Sequence, residues 1–376
     1  MRGALPDYPW DAMAPAIARA RSHADGAIDL SIGSPVDPTP EPIRRALRDA
    51  TDSPAYPATT GTPALRQAIV DWFDRRRGVS LGTDEVLPTV GSKELVALLP
   101  FLLGLGAEAT VVHPRIAYPS YAMGAALVGA SALAADDPAE WPAGTRLVWI
   151  NSPGNPDGRV WSVPELRAAV RRARELGALI VGDECYAELG WDGEWVDRPT
   201  PSILDPAVVG EHEGRPDHRG VLSVYSLSKQ SNLAGYRAAF LAGDRDVVAE
   251  LLTVRKHAGL MLPGPVQAAM TAALADDSHV AAQRERYRAR RDVLKRALVG
   301  AGFVVDRSEA GLYLWVTRGE SAWDSVAEFA GIGIVVGPGT FYGDNSPQHV
   351  RLSLTASDEN IAAAAERISA HFSEEK

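Results

Sequence analysis

Lys229 is the residue of this chain whose surroundings most clearly point to chemistry. It lies between the apolar runs 221–225 and 238–242, which are typical of strands buried in a sheet. A lysine on such a connection is close to the core and open to a pocket. Burial disfavours the ammonium form, and a neutral amine can attack a carbonyl carbon and form a Schiff base. The surroundings therefore predict a lysine that holds a carbonyl cofactor.

Three side chains near Lys229 suit a phosphate group. Ser226 and Ser228 supply hydroxyls, and Arg237 follows the lysine in the same connection. A phosphate next to a carbonyl that reacts with an amine predicts pyridoxal 5′-phosphate as the cofactor. A Ser-x-Ser-Lys string is short, and taken alone it fits a surface lysine in a serine-rich loop better. The rest of the chain must therefore distinguish the two interpretations.

Polar residues at the end of another predicted strand fit the ring of that cofactor. The run 178–181 is followed by Asp183 and Tyr186, so a carboxylate and a phenol lie at a carboxyl strand end. Asp183 can pair with a protonated pyridine nitrogen, which keeps the ring able to accept electrons. Tyr186 and Asn155 can both reach a phenolic oxygen on the ring. Each has a structural alternative, since Asp183 could cap a helix and Asn155 could serve a turn.

The stretch Gly91-Ser92-Lys93 opens a predicted helix. The free amides and the positive dipole end of a helix N-terminus suit a phosphate. Tyr118, just past the predicted strand 110–113, could stack on a ring face. Gly91 and Ser92 also fit an ordinary helix start, and Tyr118 fits a core aromatic. One ligand explains all these residues in a consistent order along one sheet edge, and this agreement favours the functional interpretation.

The sequence predicts two kinds of secondary structure, strands and helices, that position these residues. From Gly78 to about residue 245, short apolar runs alternate with helical patterns, which is typical of a mainly parallel sheet covered by helices. One helix begins at Thr62-Pro63, and another at Ser162 with a capping box to Glu165. Longer helices and a few strands follow. The sequence predicts an α/β fold with an N-terminal arm and small-domain segment (1–40), a large cofactor-binding domain (41–255) and a small α+β domain (256–376).

Charge and composition exclude several classes of partner. The chain has 376 residues and a formal net charge of −10, which argues against nucleic acid or an anionic membrane as a partner. We interpret the basic stretch 284–291 as the solvated face of a helix. The single cysteine, Cys185, fits a reducing compartment, and with no signal peptide predicted at the amino terminus a cytoplasmic location is expected. No apolar run predicts a membrane span, and the scattered histidines predict no metal site.

Taken in order, these motifs resemble those of the class I and II aminotransferases, pyridoxal phosphate enzymes of fold type I. The resemblance rests on Gly33, Tyr56, Gly61, Gly91-Ser92-Lys93, Tyr118, Asn155-Pro156-x-Gly158, Asp183, Tyr186, Ser226-x-Ser-Lys229, Arg237 and Arg351. It implies a large domain built on a mainly parallel seven-stranded sheet, next to the smaller domain. It also implies amino acids and 2-oxo acids as substrates.

The resemblance implies a role for each matching residue. Lys229, Asp183 and Tyr118 would form the catalytic set, with Lys229 carrying the cofactor and moving protons. The cofactor-binding residues would be Tyr56, Gly91, Ser92, Lys93, Tyr118, Asn155, Asp183, Tyr186, Ser226, Ser228, Lys229 and Arg237. Arg351 would hold the substrate α-carboxylate with two hydrogen bonds, near Asn155 and the backbone of Gly33.

Tyr56 resembles the family tyrosine that reaches the phosphate of the neighbouring subunit. This implies a homodimer with shared active sites. Two residues depart from the family pattern. Asp157 replaces the threonine of the usual Asn-Pro-Thr-Gly, and Ser34 stands where many relatives have an acidic residue. Neither is expected to touch the chemistry, although Ser34 could alter the substrate mouth.

Longer strings resemble the actinobacterial N-succinyldiaminopimelate aminotransferases of lysine and diaminopimelate biosynthesis. They are residues 33–38, 56–59, 226–237, 254–259 and 310–315. This resemblance implies amino transfer between N-succinyl-LL-2,6-diaminopimelate and 2-oxoglutarate. Two alternatives stay open: an aminotransferase of another acidic amino acid or semialdehyde, and a pyridoxal phosphate-dependent cystathionine β-lyase.

Substrates with an acidic side chain require a basic group beyond Arg351. Lys256 and His257 are the candidates for this substrate contact, with Arg115 as a further option. A charge cluster at a helix C-terminus is an equally good interpretation of Lys256 and His257.

Overall fold

The fold is that of a computed structural model, which describes residues 9–373. Residues 1–8, where the sequence predicts no signal peptide, and residues 374–376 lie outside the described part of the chain. The helices are α1 (Ala14–Arg21), α2 (Glu41–Asp49), α3 (Pro63–Trp72), α4 (Ser92–Leu102), α5 (Ser120–Val128), α6 (Val163–Leu176), α7 (Pro206–Val209), α8 (Leu227–Gln230), α9 (Arg245–Ala258), α10 (Gly264–Leu274), α11 (Ser278–Gly300), α12 (Ala322–Gly331) and α13 (Asp358–Ser373).

The strands form one large sheet and several smaller ones. They are β1 (Ile28–Asp29), β2 (Val86–Val90), β3 (Thr110–His113), β4 (Ser131–Ala134), β5 (Thr145–Asn151), β6 (Leu179–Asp183), β7 (Glu211–His212), β8 (Arg215–Pro216), β9 (Val221–Ser226), β10 (Ala238–Gly243), β11 (Val304–Val305), β12 (Tyr313–Thr317), β13 (Ile334–Val335), β14 (Gly337–Pro338) and β15 (Val350–Ser353).

The large sheet has seven strands in the order β2-β10-β9-β6-β5-β3-β4. Its neighbouring strands are parallel except at β10, which runs antiparallel to both β2 and β9. Every residue of β6, β9 and β10 is buried, as expected for strands covered by helices on both faces. The predicted mainly parallel α/β fold is thus confirmed.

Local sequence signals fix the starts of the helices that cover this sheet. The Thr62 hydroxyl accepts a hydrogen bond from the Leu65 amide at 3.2 Å, and Pro63 occupies the first turn of α3. Ser162 and Glu165 form the predicted capping box of α6, which ends at the left-handed Gly177. Such caps satisfy the free amides and carbonyls of the helix ends.

A four-stranded antiparallel sheet, in the order β11-β12-β15-β14, lies in the C-terminal part of the chain. The N-terminal segment joins this part, because β1 pairs in parallel with β13. Helix α1 also forms within the segment 1–40, which the sequence analysis predicted as an arm and small-domain segment. The segment therefore pairs with the C-terminal part and also reaches Lys229 and Asn232, which follow β9 of the large sheet.

The interpretation of the basic stretch 284–291 as a solvated face holds for Glu285, Arg286 and Ala289, which are exposed, and fails for its last two arginines. Arg290 and Arg291 are buried on α11. The Arg290 guanidinium donates to both oxygens of Asp37, at 2.8 and 2.7 Å, and to Asp358 at 2.6 Å. This face of α11 holds the N-terminal segment, so its arginines are buried against the carboxylates that compensate their charge.

No helix among residues 9–373 is long and apolar enough to cross a membrane.

Candidate active site

A cavity of about 620 Å³ lies between the large sheet and the four-stranded sheet. Most of the site residues predicted from the sequence line it. They are Gly33, Ser92, Lys93, Tyr118, Asn155, Asp183, Tyr186, Ser226, Ser228, Lys229, Arg237 and Arg351. The carboxyl ends of β6 and β9 open into the same cavity, as expected for a ligand site of an α/β sheet.

Lys229 lies on the short helix α8, directly after the end of β9. Its amine faces the cavity and donates to the carbonyl oxygen of Gly33, which comes from the N-terminal segment. Burial lowers the pKa of Lys229 below its ordinary value. A larger fraction of this amine is therefore neutral, and so nucleophilic, than in a solvent-exposed lysine.

Asp183 is the last residue of β6 and is buried. Its Oδ2 accepts from the Tyr121 hydroxyl at 2.7 Å, and its Oδ1 accepts from the Cys185 amide at 3.3 Å. Burial raises the pKa of Asp183, and these two donors partly oppose that effect. A buried carboxylate with few partners is suited to bind a cationic ring nitrogen.

Tyr121 is a site residue that the sequence analysis missed. It is fully buried on α5 and stacks on Trp149 with ring centroids 5.1 Å apart. Tyr121 lies three residues after Tyr118, and the two rings meet edge to face with centroids 6.0 Å apart, so this spacing was a usable signal. The sequence analysis considered only the first tyrosine of the string 117–121, and the contact of the Tyr121 hydroxyl with Asp183 could not be read from the pattern.

One end of the cavity carries the donors that suit a phosphate. Gly91, with φ of 80°, precedes the first turn of α4, and a Cβ placed there would lie 2.1 Å from Nη2 of Arg237. Only glycine allows this approach of the guanidinium to the helix N-terminus. The Ser226 hydroxyl donates to Ser228 at 2.9 Å beside them. An anion here would meet a positive dipole end, a guanidinium and two hydroxyls.

Arg351 lies in the middle of β15 and is buried. It donates to Oδ1 of Asn155 at 2.8 Å through Nη1 and to the carbonyl of Ser31 through Nη2. Its Nε is buried with no hydrogen-bond partner among the described residues. Leaving a buried donor without a hydrogen bond costs free energy, and a carboxylate bound in the cavity would accept that hydrogen bond.

Tyr313 of β12 is a second site residue that the sequence analysis did not identify. Its ring lies 3.9 Å from the guanidinium carbon of Arg351, and its hydroxyl lies 3.4 Å from that of Tyr186. Burial alone would raise the pKa of Tyr313, but the charges of Arg351 and Lys229 outweigh it, and the pKa lies below its ordinary value. A Cβ on Gly33 would lie 2.3 Å from this hydroxyl, so only glycine fits at that position. The string 312–315 indicated a buried strand, which hid this role.

Gly91 and four side chains considered from the sequence do not line the cavity of their own chain. The Tyr56 side chain is almost fully exposed. Lys256 and His257 are exposed in the last turn of α9, because the preceding residue, Arg255, turns inward to bind Glu94 at 2.9 Å. Arg115 pairs with Glu140 at the surface, at 2.7 Å. The contacts of these four side chains with cofactor or substrate stay predictions, and they would require a second chain or a change of rotamer.

Three comparisons with known proteins bear on this site. The profile of the family "Aminotransferase class I and II" matches residues 25–368. The chain is 53% identical to a 4-dedimethylamino-4-oxo-anhydrotetracycline transaminase of Streptomyces rimosus, over 97% of this chain and 99% of that protein. It is also 53% identical to a probable aminotransferase of Mycobacterium tuberculosis, over 97% of this chain and 85% of that protein. The solved structure of a probable N-succinyldiaminopimelate aminotransferase of Thermus thermophilus matches with a TM-score of 0.84 and 27% identity, covering 96% of this chain and all of that one.

Proposed function

Because this chain belongs to the class I and II aminotransferases, which depend on pyridoxal phosphate, we propose that it transfers an amino group between N-succinyl-LL-2,6-diaminopimelate and 2-oxoglutarate. This reaction belongs to the biosynthesis of diaminopimelate and lysine, and the cytosol is its predicted compartment. One observation carries the proposal: Lys229 and Arg351 line the same cavity. Lys229 has a lowered pKa, and the buried guanidinium of Arg351 is suited to bind a carboxylate.

The residues of the cavity divide the tasks of binding the cofactor. We assign its phosphate to the amides of α4, Arg237, Ser226 and Ser228, and its ring nitrogen to Asp183. We place Tyr118 beside the face of the cofactor ring, and we assign the phenolic oxygen of that ring to Asn155 and Tyr186. Pyridoxal phosphate, when bound, supplies a ring that accepts the electrons released at the substrate Cα.

The chain itself supplies proton transfer and orientation. The neutral Lys229 amine takes the proton from the substrate Cα and returns it during the reaction. Arg351 grips the α-carboxylate with two donors and fixes which bond faces Lys229. Asn155 and Ser31 hold the guanidinium from two sides, so its direction is set before the substrate arrives.

The specific substrate rests on the sequence resemblance and on the Thermus thermophilus structure named above. A second candidate, a larger cyclic ketone, is favoured by the aromatic wall of the cavity near Arg351. Trp10 and Phe341 line that wall with ring centroids 5.1 Å apart. The 53% identity to a transaminase of an anhydrotetracycline supports the same candidate.

Single-turnover absorbance of the yellow protein would test the proposal. The protein is mixed separately with glutamate, N-succinyl-LL-diaminopimelate and leucine, without an acceptor. We expect glutamate and the succinylated compound to convert the cofactor band at lower concentrations than leucine does. Conversion by glutamate alone would point to another aminotransferase substrate, for which the anhydrotetracycline ketone is the next acceptor to try. Release of pyruvate and ammonia from cystathionine would instead indicate a β-lyase.

We further propose that two chains complete each other's sites through Tyr56. Its exposure leaves it without a task in its own chain's cavity. A mixture of Lys229→Ala and Tyr56→Ala chains, unfolded and refolded together, tests this. Hybrids would pair the intact Lys229 of one chain with the intact Tyr56 of the other, and we expect activity above that of either variant alone. If the mixture is no more active than either variant alone, the proposal of a shared site is wrong.

A further inference from the structure

Asp157 departs from the usual family motif, and it is buried two residues after Asn155. The side chain is 6% exposed. Its Oδ2 accepts from Nη1 of Arg307 at 2.8 Å, and its Oδ1 accepts from the Arg159 amide at 3.3 Å. Burial raises the pKa of Asp157, and the two arginines oppose that effect. A buried carboxylate depends on such a partner, because removing it leaves an uncompensated charge.

The partner lies on the other sheet. Arg307 belongs to the turn between β11 and β12, in the four-stranded sheet that also carries Arg351. Arg307 and Ser308 have φ of 51° and 58°, a left-handed conformation that residues other than glycine seldom adopt. Contacts from outside the turn must therefore hold it. The Ser308 amide donates to the main-chain carbonyl of Asp157 at 2.7 Å, so Asp157 binds this turn with both its main chain and its side chain.

The same loop contacts the same sheet a second time. Two residues before Asp157, Asn155 accepts from Arg351 at 2.8 Å. One residue after it, Gly158 leaves no room for a side chain, since a Cβ would lie 2.3 Å from the carbonyl oxygen of Ala310. The loop is thus packed closely against the four-stranded sheet at residues 155, 157 and 158. A shift at Asp157 would be transmitted to Asn155 and Arg351.

We propose that Asp157 is a positioning residue, whose ion pair with Arg307 sets the place of Asn155 relative to Arg351. It acts through these two residues and does not touch the substrate. The proposal rests on the proposed role of Arg351 in binding the substrate carboxylate. This indirect role is compatible with the expectation that Asp157 does not itself touch the chemistry, because the buried ion pair spans the two sheets between which the site lies.

The test compares four variants of the cofactor-loaded protein. They are Asp157→Asn, Arg307→Gln, the double variant, and Asp306→Asn as a matched control. Asp306 precedes Arg307 in the same turn and its carboxylate contacts the His349 ring at 3.3 Å, so this control removes a side-chain contact that stays within the C-terminal part. The binding of 2-oxoglutarate, without an amino donor, is followed by tryptophan fluorescence, and kcat and KM are measured separately.

We expect Asp157→Asn and Arg307→Gln each to raise the Kd for 2-oxoglutarate about tenfold, with a smaller change in kcat. The double variant should raise it by clearly less than the product of the two single effects, because both remove the same pair. Asp306→Asn should leave it unchanged. Arg307 is partly exposed, with 43% of its side chain accessible, so its variant is expected to fold even if Asp157→Asn is unstable.

The proposal is overturned if Asp157→Asn and Arg307→Gln lower the melting temperature and leave the Kd and KM unchanged, which would indicate a purely stabilising pair. Independent, fully multiplicative effects of the two variants would overturn it as well. If the natural protein itself does not bind 2-oxoglutarate, the proposed acceptor is wrong. The same variants are then compared with pyruvate, the smallest 2-oxo acid, which tests the positioning role separately.

Discussion

The two sheets that border the cavity hold their functional groups in different ways. On the large sheet, Asp183 ends β6 and Lys229 follows β9, both strands being fully buried. Asp183 finds its donors, Tyr121 and the Cys185 amide, in the connections of that sheet. On the four-stranded sheet, Arg351 lies within a strand of four residues and depends on Asn155 and Ser31, which come from other parts of the chain.

This difference separates two tasks. Asp183 and the main chain of Lys229 are placed by one sheet and keep their positions whenever that sheet is intact, although the Lys229 amine also donates to Gly33 of the N-terminal segment. Such fixed placement suits proton transfer, where small displacements reduce the rate strongly. Groups held across two sheets depend on how the sheets meet, which suits the binding of substrates. We expect changes on the large sheet to act mainly on kcat and changes on the small sheet to act mainly on KM.

The largest expected effect is that of Lys229→Ala. Loss of the amine removes proton transfer at the substrate Cα, and the single-turnover rate should fall by about 10⁴-fold. Stopped-flow absorbance with glutamate measures it. Lys295→Ala, at a half-buried position of α11 that pairs with Asp192 at 3.5 Å, is the matched control and should react as the natural protein does. A fall of less than tenfold in Lys229→Ala would place the proton transfer elsewhere.

On the small sheet, Arg351→Lys should raise KM for the amino donor about 100-fold and change kcat much less. An ammonium cannot form the two parallel hydrogen bonds that a guanidinium gives a carboxylate. Steady-state kinetics over a wide range of donor concentrations separates the two constants. Arg44→Lys, at the surface of α2, should change neither. An equal fall in kcat would contradict the division of tasks between the sheets.

The lowered pKa of Lys229 predicts a pH dependence for the cofactor-free protein. Below this pKa the neutral fraction of the amine rises about tenfold per pH unit, and so should the rate of its reaction with added pyridoxal phosphate. The rate should level off at a pH below the ordinary pKa of a lysine, because burial has already made the ammonium unfavourable. A rate that keeps rising through that ordinary value would mean that Lys229 is not desolvated.

A smaller effect, about tenfold on kcat, is expected for Tyr121→Phe. The change removes the hydroxyl that donates to Asp183 and stabilises its ionised form, so the pKa of Asp183 should rise further. The acidic limb of the pH profile of kcat should move to higher pH. Tyr225→Phe is the control, since it also removes a buried hydroxyl bond, to Gln230, away from Asp183. A profile identical to that of the natural protein would show that Asp183 does not need this donor.

The sequence predicted the central strands well and missed both edges of the large sheet. Strands β2 and β4 lie at its two ends. Strand β2 contains Pro88, and proline is disfavoured inside sheets but tolerated at a sheet edge. The run Ser-Ala-Leu-Ala of β4 has a low strand propensity, and its residues are exposed or half-buried. Edge strands are specified by the neighbour they pair with, and a single sequence does not show that neighbour.

The sequence predicted those residues of the candidate site that lie close to one another along the chain. The residues around Lys229 follow strand ends, and the periodicity of the sequence locates such ends. Tyr121, Tyr313 and Asp157 were missed or set aside because their roles depend on contacts between distant segments. Arg290 was misinterpreted for the same reason, since its partner Asp37 lies 253 residues earlier.

The short stretch Ser31 to Gly33 touches both sides of the cavity, accepting from Arg351 through Ser31 and from Lys229 through Gly33. These contacts span 320 and 196 positions of the chain. Contacts of such long sequence separation require costly loop closure and form late during folding. After dilution from denaturant, the circular dichroism of the helices should therefore return before catalytic competence, and a folding intermediate would contain an ordered large sheet with an unfinished site.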